Sequence, residues 1–181
     1  MLTIDQIAEA YRKQVSVQDY SPREKIAGVQ VVDLRLMLDD GGSFAELVRL
    51  NEKGCLEAFP EFQVRQSSYS LVLPGSIKAF HLHYKQDDVW FVPPTERLLM
   101  GLLDVRQDSD SCNVSQRFVL GGGKAQLLYI PCGVAHGCAN LGTVPASIIY
   151  FVNQQFSLEK SDENRLPWDI LGKDFWELTR G

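Results

Sequence analysis

The chain has 181 residues, of which 45% are hydrophobic and 23% charged, and its formal net charge is -5 at pH 7. This length suits one domain with a sizeable core, so residues 1–181 are expected to form a single domain. The acidic balance, without a clustered basic run, argues against nucleic acid or an anionic membrane as a partner. No stretch has the length of a membrane span or the apolar core of a secretory signal, so we expect a cytoplasmic location.

The first predicted element is a helix. Apolar residues recur at helical spacing near the N-terminus, at Ile4, Ile7, Ala8 and Tyr11. Thr3 and Gln6 stand three residues apart, which is the spacing of a capping box. The pattern predicts a short helix that docks on the rest of the domain, within an N-terminal helix and arm over residues 1–25.

The sequence after this arm has a residue pattern that is typical of a β protein. Short runs of β-branched and aromatic residues alternate with turn residues such as "DDGG", "PP" and "GGG". The predicted strands span residues 28–37, 45–50, 62–72, 76–84, 89–92, 97–105, 117–120, 126–130 and 146–153. Many short strands with little helical period predict an all-β antiparallel sandwich or barrel over residues 26–156, followed by a C-terminal tail over 157–181.

All three histidines fall in two short motifs. His81 and His83 are one residue apart on a predicted strand, so their side chains should share one face. With Gly75 before them and Asp88 after them, they resemble the first motif of the cupin superfamily. The second cupin motif, P-x-G-x-x-H-x-x-x-N, is matched at Pro131, Gly133, His136 and Asn140. Together the two motifs imply a small β-barrel with a site in its mouth.

A narrower resemblance lies within this one. The segments "QSSYSLVLPGSIKAFHLH", "LLDVR", "LLYIPCGVAHGCANLG", "IIYFVNQQF" and "DENRLPWD" are similar, in order and spacing, to the dTDP-4-dehydrorhamnose 3,5-epimerase family, over roughly residues 60–176. The resemblance implies a cupin-type antiparallel β-barrel (jelly roll) with a short N-terminal helix, assembled as a homodimer. The implied substrate is a nucleotide-linked 4-keto-6-deoxysugar, inverted at C3, C5 or both. No cofactor or metal is expected.

The same resemblance implies a role for five side chains. His81 takes the place of the catalytic base, and the ordinary pKa of histidine lies close to working pH. Tyr150 takes the place of the acid on the opposite face of the sugar ring. Substrate-binding roles are implied for three further residues, Gln66, Lys78 and His136.

Several assignments stay open at this stage. Strict alternation puts Lys78 on the strand face opposite His81, so a shared site requires a bulge or a strand start near Gly75. The group that orients the base is Asp169, Asp174 or neither. Arg65 and Arg49 are the candidate cations for a diphosphate.

A metal-dependent cupin, acting as an isomerase or dioxygenase, is the main alternative. His81, His83, Asp88 and His136 supply three imidazoles and one carboxylate, a set that suits zinc, iron, manganese or nickel. Asp88 also stands where the family has a lysine, and Phe156 stands where it has a second tyrosine. A cupin that binds a sugar or a small acid without turning it over is a third possibility.

Overall fold

Two antiparallel five-stranded sheets form the body of the computed structural model, which describes residues 1–179. The strands described there are β1 (Gln30–Asp33), β2 (Leu36–Asp39), β3 (Gly42–Ala45), β4 (Cys55–Leu56), β5 (Phe59–Gln63), β6 (Gln66–Val72), β7 (Ile77–Leu82), β8 (Asp88–Phe91), β9 (Arg97–Asp104), β10 (Ser115–Gly121), β11 (Gln126–Ile130), β12 (Val134–Ala139), β13 (Ala146–Val152) and β14 (Asn164–Arg165). The first sheet has the order β1-β11-β8-β13-β6 and the second β10-β9-β12-β7-β14. Two small hairpins, β2-β3 and β4-β5, complete the all-β architecture.

The predicted strand at 28–37 is divided in the structure into β1 and β2, and neither β4 nor β14 was among the predicted strands. Two further differences have a clear physical reason. The predicted strand at 45–50 is wrong, because only Ala45 belongs to a strand there and Leu50 makes an isolated bridge to Leu56. Conversely, β12 was absent from the predicted strands although it pairs with both β7 and β9. Its sequence, "VAHGCA", is rich in small residues and lacks the β-branched and aromatic residues by which strands are recognised.

The predicted N-terminal helix is wrong in its extent. Ile4–Gln6 forms a single 3₁₀ turn and Glu9–Arg12 a single α-helical turn, α1. The Thr3–Gln6 capping contact is present, with the Thr3 backbone N–H donating to Gln6 Oε1 at 2.9 Å. No residue of either turn is buried, and so short a helix is marginal in water without a packing partner. No helix in residues 1–179 is long and apolar enough to cross a bilayer.

The main core lies between the inner faces of the two sheets. Because side chains alternate along a strand, every second residue points inward. The inward residues include Val72, Val92, Met100, Leu128, Val134 and Ile148, which are all fully buried or nearly so. On β12 the same inward row continues from Val134 to His136 and Cys138. The core and the histidine site are therefore two ends of one interior layer.

A buried carboxylate anchors the loop that follows β9. Asp104 is 0% exposed and accepts hydrogen bonds from Arg106 Nε at 2.8 Å and from the hydroxyls of Ser109 and Ser111, each at 2.6 Å. Burial alone would raise the pKa of Asp104. The hydrogen bonds from Arg106, Ser109 and Ser111 outweigh burial and lower it well below its ordinary value.

We expect Asp104→Asn to lower the free energy of unfolding by about 3 kcal/mol at pH 7, because it leaves the Arg106 guanidinium without its anion. A lowered pKa stabilises the fold above the pKa of an unfolded aspartate, about 3.9, and this contribution is lost as pH falls below that value. The deficit should therefore shrink below about pH 4. Urea denaturation followed by tryptophan fluorescence measures it. Asp108→Asn, on the exposed part of the same loop, is the control, and equal losses in both variants would contradict the role of Asp104.

Candidate active site

A cavity of about 530 Å³ opens at the polar end of the interior layer. This volume lies within the range of small-molecule sites. Five of its lining residues are those to which the family resemblance gave a catalytic or substrate-binding role, namely Gln66, Lys78, His81, His136 and Tyr150. Further polar residues of the lining include His83, Gln86, Asp88, Trp90, Glu163 and Arg165.

Strand alternation explains why the two sheets contribute facing groups. On β8, Asp88 and Trp90 are two residues apart and both line the cavity. On β13, Tyr150 lies between Ile148 and Val152 in the same inward row. These residues form the wall supplied by the first sheet. The second sheet supplies the opposite wall, which carries His81 on β7 and His136 on β12.

A β-bulge brings Lys78 and His81 into the same cavity. His81 pairs with His136 and Lys78 with Cys138, so β7 advances three residues while β12 advances two. Of the two possibilities left open by the sequence, a bulge or a strand start near Gly75, the structure has the bulge. Gly137 lies at this irregularity, where an added Cβ would come within 2.4 Å of Ala79 Cβ and 2.6 Å of Lys78 O. Only glycine leaves room for this close approach of the two strands.

The partner of His81 comes from the C-terminal tail. His81 Nδ1 lies 3.4 Å from Glu163 Oε2, and their side chains are 23% and 40% exposed. The sequence had offered Asp169 and Asp174 for this place, and neither of them lines the cavity. Glu163 was missed because it follows His81 by 82 positions, and only the "DENRLPWD" segment hinted that this part of the tail reaches the site.

A second carboxylate fixes the path of that tail. Asp162 accepts hydrogen bonds from the backbone N–H groups of Tyr84, Lys85 and Gln86, at 2.8 to 3.0 Å. These bonds outweigh burial, which opposes them, and lower the pKa of Asp162. The strand that follows in the tail, β14, pairs with β7 so that Arg165 lies opposite His81. The tail is thereby held across the end of β7, beside His81.

His81 is a neutral imidazole at physiological pH. Burial, followed by repulsion from His136 and Arg165, lowers the pKa of His81 to about 4. Hydrogen bonding and attraction from Glu163 raise it but only partly offset the other effects. A neutral imidazole has a free lone pair, so His81 is able to accept a proton throughout the neutral range.

His83, Asp88 and His136 form a second, deeper group. One ligand atom of each lies within 4.8 Å of the others, and all three residues are buried. His81, the fourth member of the metal set considered from the sequence, lies outside this group. Burial alone would raise the pKa of Asp88, but hydrogen bonding and attraction from His136, with help from His83 and Trp90, lower it instead. Asp88 is therefore an anion at neutral pH.

The cations of the cavity are Lys78 and Arg165. Lys78 Nζ donates to Ser70 Oγ at 3.0 Å and to Leu71 O at 2.8 Å, which holds the ammonium at the cavity wall. Arg49 instead pairs with Glu46 on the surface, at 2.8 Å. Arg65 does not line the cavity either. The two arginines suggested by the sequence for diphosphate binding are therefore not part of this site.

Comparison with known proteins decides the family. A family model described as dTDP-4-dehydrorhamnose 3,5-epimerase matches residues 23–171. The chain belongs to this family. It is 44% identical over 144 residues to the spore coat polysaccharide biosynthesis protein SpsL of Bacillus subtilis, covering 80% of this chain and 91% of that protein. The dTDP-4-dehydrorhamnose 3,5-epimerase family consists of isomerases, so this protein is an enzyme of the isomerase class.

Two further relatives agree with this assignment. The chain is 30% identical over 146 residues to the probable low-salt glycan biosynthesis epimerase Agl13 of Haloferax volcanii, covering 80% of this chain and 89% of that protein. A crystal structure of a dTDP sugar isomerase from Desulfovibrio desulfuricans superimposes with a TM-score of 0.69 at 26% identity, covering 85% of this chain and 91% of that one. The fold and the sequence thus indicate the same family of dTDP-sugar epimerases.

The pKa of His81 predicts the pH dependence of this epimerase. We expect the acid limb of its kcat/KM profile to lie well below pH 6.5, because His81 stays neutral down to its pKa of about 4. Glu163→Gln removes the interaction that raises this pKa, so the limb should move to still lower pH. The rate at neutral pH should also fall, because a lower pKa makes His81 a weaker proton acceptor. A pH–rate profile of both proteins checks this, and a wild-type limb at or above pH 6.5 would contradict it.

Proposed function

We propose that the protein epimerises a dTDP-linked 4-keto-6-deoxysugar at C3, C5 or both, by removing a proton next to the ketone. The observation that carries this proposal is the placement of His81 and Tyr150, which line one cavity from opposite sheets. A sugar ring between them would have a base on one face and a hydroxyl on the other. Inversion at carbon needs that arrangement, since the proton leaves from one face and returns to the other.

Glu163 supports His81 as the base. A carboxylate only accepts hydrogen bonds, so Glu163 Oε2, 3.4 Å from His81 Nδ1, favours the tautomer that carries its hydrogen on Nδ1. The lone pair on Nε2 is then the one that takes the proton from carbon. As His81 becomes positively charged, attraction to Glu163 stabilises the imidazolium.

Lys78 and His136 are proposed to bind the sugar, together with Gln66. The Lys78 ammonium is held at the cavity wall and supplies positive charge for a developing enolate oxygen or for a phosphate. Gln66 Oε1 accepts a hydrogen bond from the Phe156 backbone N–H at 3.0 Å, and its Nε2 donates to Ser68 Oγ at 3.1 Å. Gln66 thus has a fixed position at the rim. Arg165 joins these groups as a proposed phosphate ligand.

We also propose that the two sheets form the walls of a cupin-type barrel and that two chains associate through β6. This strand lies at an edge of the first sheet and has a strand neighbour on one side only within residues 1–179. Its outward side chains include Tyr69 and Leu71, which are 64% and 45% exposed. An open edge carrying apolar side chains is a natural template for pairing with a second copy.

Product analysis tests the proposed reaction. The protein is incubated with dTDP-4-keto-6-deoxyglucose, the 4-keto group is reduced with borohydride, and the sugars released by acid hydrolysis are identified by chromatography. We expect sugars inverted at C3, C5 or both. dTDP-glucose, which has no ketone to acidify its neighbouring C–H bonds, is the control and should be recovered unchanged. Recovery of the gluco and galacto sugars alone from the keto substrate would contradict the proposal.

A further inference from the structure

A second cavity lies on the outer face of the second sheet. Its volume is about 540 Å³, close to that of the epimerase cavity, and the two cavities share no lining residue. This volume lies in the range of small-molecule sites. The walls come from β9 and β10, from the loop that follows β12, from the N-terminal arm and from the end of the described tail. The second cavity is thus separate from the site proposed for epimerisation.

Strand alternation places two arginines on this outer face. On β9, Met100 belongs to the main core, so Leu99 and Arg97 point to the other side of the sheet. The cross-strand partner of Leu99 is Val119, and Arg117 lies two residues from Val119 on β10. The apolar pair Leu99–Val119 therefore lies between two arginine side chains.

A third arginine, Arg23, reaches the cavity from the N-terminal arm. The tail forms another wall, since Arg117 Nη1 donates to Thr179 Oγ1 at 2.9 Å and Arg117 Nη2 donates to the backbone oxygen of Glu177. Arg117 Nε has no hydrogen-bond partner within residues 1–179. Because both acceptors of Arg117 are neutral oxygen atoms, its positive charge is held in place without being compensated.

No carboxylate balances these three charges. Among the described residues that line the cavity, none is an aspartate or a glutamate. Within residues 1–179, no carboxylate oxygen lies within 4.0 Å of a side-chain nitrogen of Arg23, Arg97 or Arg117. By contrast, Arg106 Nε lies 2.8 Å from Asp104 Oδ1. In a chain with a formal net charge of -5, three uncompensated cations around one cavity create a local positive potential that attracts anions.

The rest of the lining is mainly apolar. It consists of Leu99, Phe118, Val119, Leu141 and Leu178, with Gly142 and Thr179. Val119 and Leu178 are 39% and 68% exposed, whereas Leu99 is buried in the cluster beneath the tail. Exposed apolar side chains beside uncompensated cations suit a ligand that has both an apolar body and an anionic group.

We propose that the second cavity binds a small phosphorylated molecule with an apolar or aromatic body. Guanidinium groups match the oxygens of a phosphate in bidentate geometry, and three of them favour the doubly charged phosphate over a single carboxylate. The apolar body lies over Leu99 and Val119, between Arg97 and Arg117. This binding goes beyond epimerisation, because the cavity contains none of the residues assigned to that reaction.

An NMR titration of the wild-type protein tests the proposal. Isotope-labelled protein in phosphate-free buffer of low ionic strength is titrated with phenyl phosphate, and separately with inorganic phosphate, while the backbone amide signals are recorded. We expect the signals of Leu99, Val119 and Gly142 to shift together and to saturate with phenyl phosphate. Inorganic phosphate should bind at least about tenfold more weakly, because it buries no apolar surface. No shift at these positions, shifts confined to the epimerase cavity, or equal affinity for the two phosphates would overturn the proposal.

A matched pair of variants tests the arginines. Arg97→Gln should weaken the binding of phenyl phosphate by about tenfold, because a hydrogen bond between charged partners is lost. Arg97 is exposed, so the fold should be retained. Lys124→Gln, which removes one positive charge from an exposed turn outside the cavity, is the control and should bind like the wild type. Unchanged affinity in Arg97→Gln, or an equal loss in both variants, would overturn the assignment of the arginines. Neither measurement uses a sugar nucleotide, so failure here is distinct from failure of the proposed epimerisation.

Discussion

His81→Gln should reduce the kcat/KM of epimerisation by about 10³-fold, within the range usual for loss of a positioned general base. Glutamine preserves the size and polarity of a side chain that is 23% exposed, so the fold should be retained. It has no group able to take a proton from carbon at neutral pH. KM should change little, because the base acts in the transition state rather than in substrate binding. Steady-state kinetics with dTDP-4-keto-6-deoxyglucose measure both parameters.

Lys85→Gln is the control for this variant. Lys85 is exposed just beyond β7 and does not line the cavity, so its replacement should leave kcat/KM unchanged. A loss of less than tenfold in His81→Gln would mean that another group removes the proton. An equal loss in both variants would indicate a general effect on this part of the fold. Either result would contradict the assignment of His81 as the base.

Tyr150→Phe should separate proton exchange from inversion. His81 and Tyr150 lie on opposite walls of the cavity, so removal of the phenolic hydroxyl leaves the base intact. We expect solvent deuterium still to enter the sugar through His81, while formation of inverted product falls by roughly 10² to 10³-fold. When the proton returns to the carbon from the face that it left, solvent deuterium enters the sugar but the configuration of that carbon is unchanged.

Measurement of both rates in one D2O incubation gives the ratio of exchange to inversion. Tyr20→Phe, in the exposed N-terminal arm, is the control and should preserve the wild-type ratio. If exchange and inversion fall together in Tyr150→Phe, Tyr150 supports the base or the substrate and is not the opposing acid. The ratio, rather than either rate alone, is therefore the decisive quantity.

The spacing of the histidine motifs was informative because it determines which side chains lie on the same face of a strand. Alternation along a strand predicted that His81 and His83 share one face, and both line the cavity. The second motif identified His136, which the structure places opposite His81 in the register of β7 and β12. The conflict between Lys78 and strict alternation was visible in the sequence, and one of the two solutions it offered, a bulge, is present in the structure. Local pattern is sufficient for such features because they depend on residues close together in the chain.

Features that depend on distant packing were not predictable in this way. Glu163 meets His81 only because Asp162 ties the tail to the turn after β7, which no local pattern specifies. The strand β12 was missed because the close approach at Gly137 requires small residues, and these weaken the strand pattern. At the N-terminus the opposite occurred: Ile4 and Tyr11 have helical spacing but are 50% and 63% exposed. These residues have the spacing of a helix but pack against nothing, so only single turns form there.

Position-resolved deuterium incorporation tests the central claim most directly. Wild type and His81→Gln are each incubated in D2O with dTDP-4-keto-6-deoxyglucose, and the C3 and C5 proton signals are followed by NMR. The proposed reaction predicts that the wild-type enzyme removes the proton signal at C3, C5 or both, and that His81→Gln leaves both signals close to the enzyme-free rate. Equal exchange in both proteins, or no exchange in the wild type, would contradict a mechanism in which His81 removes a proton next to the ketone.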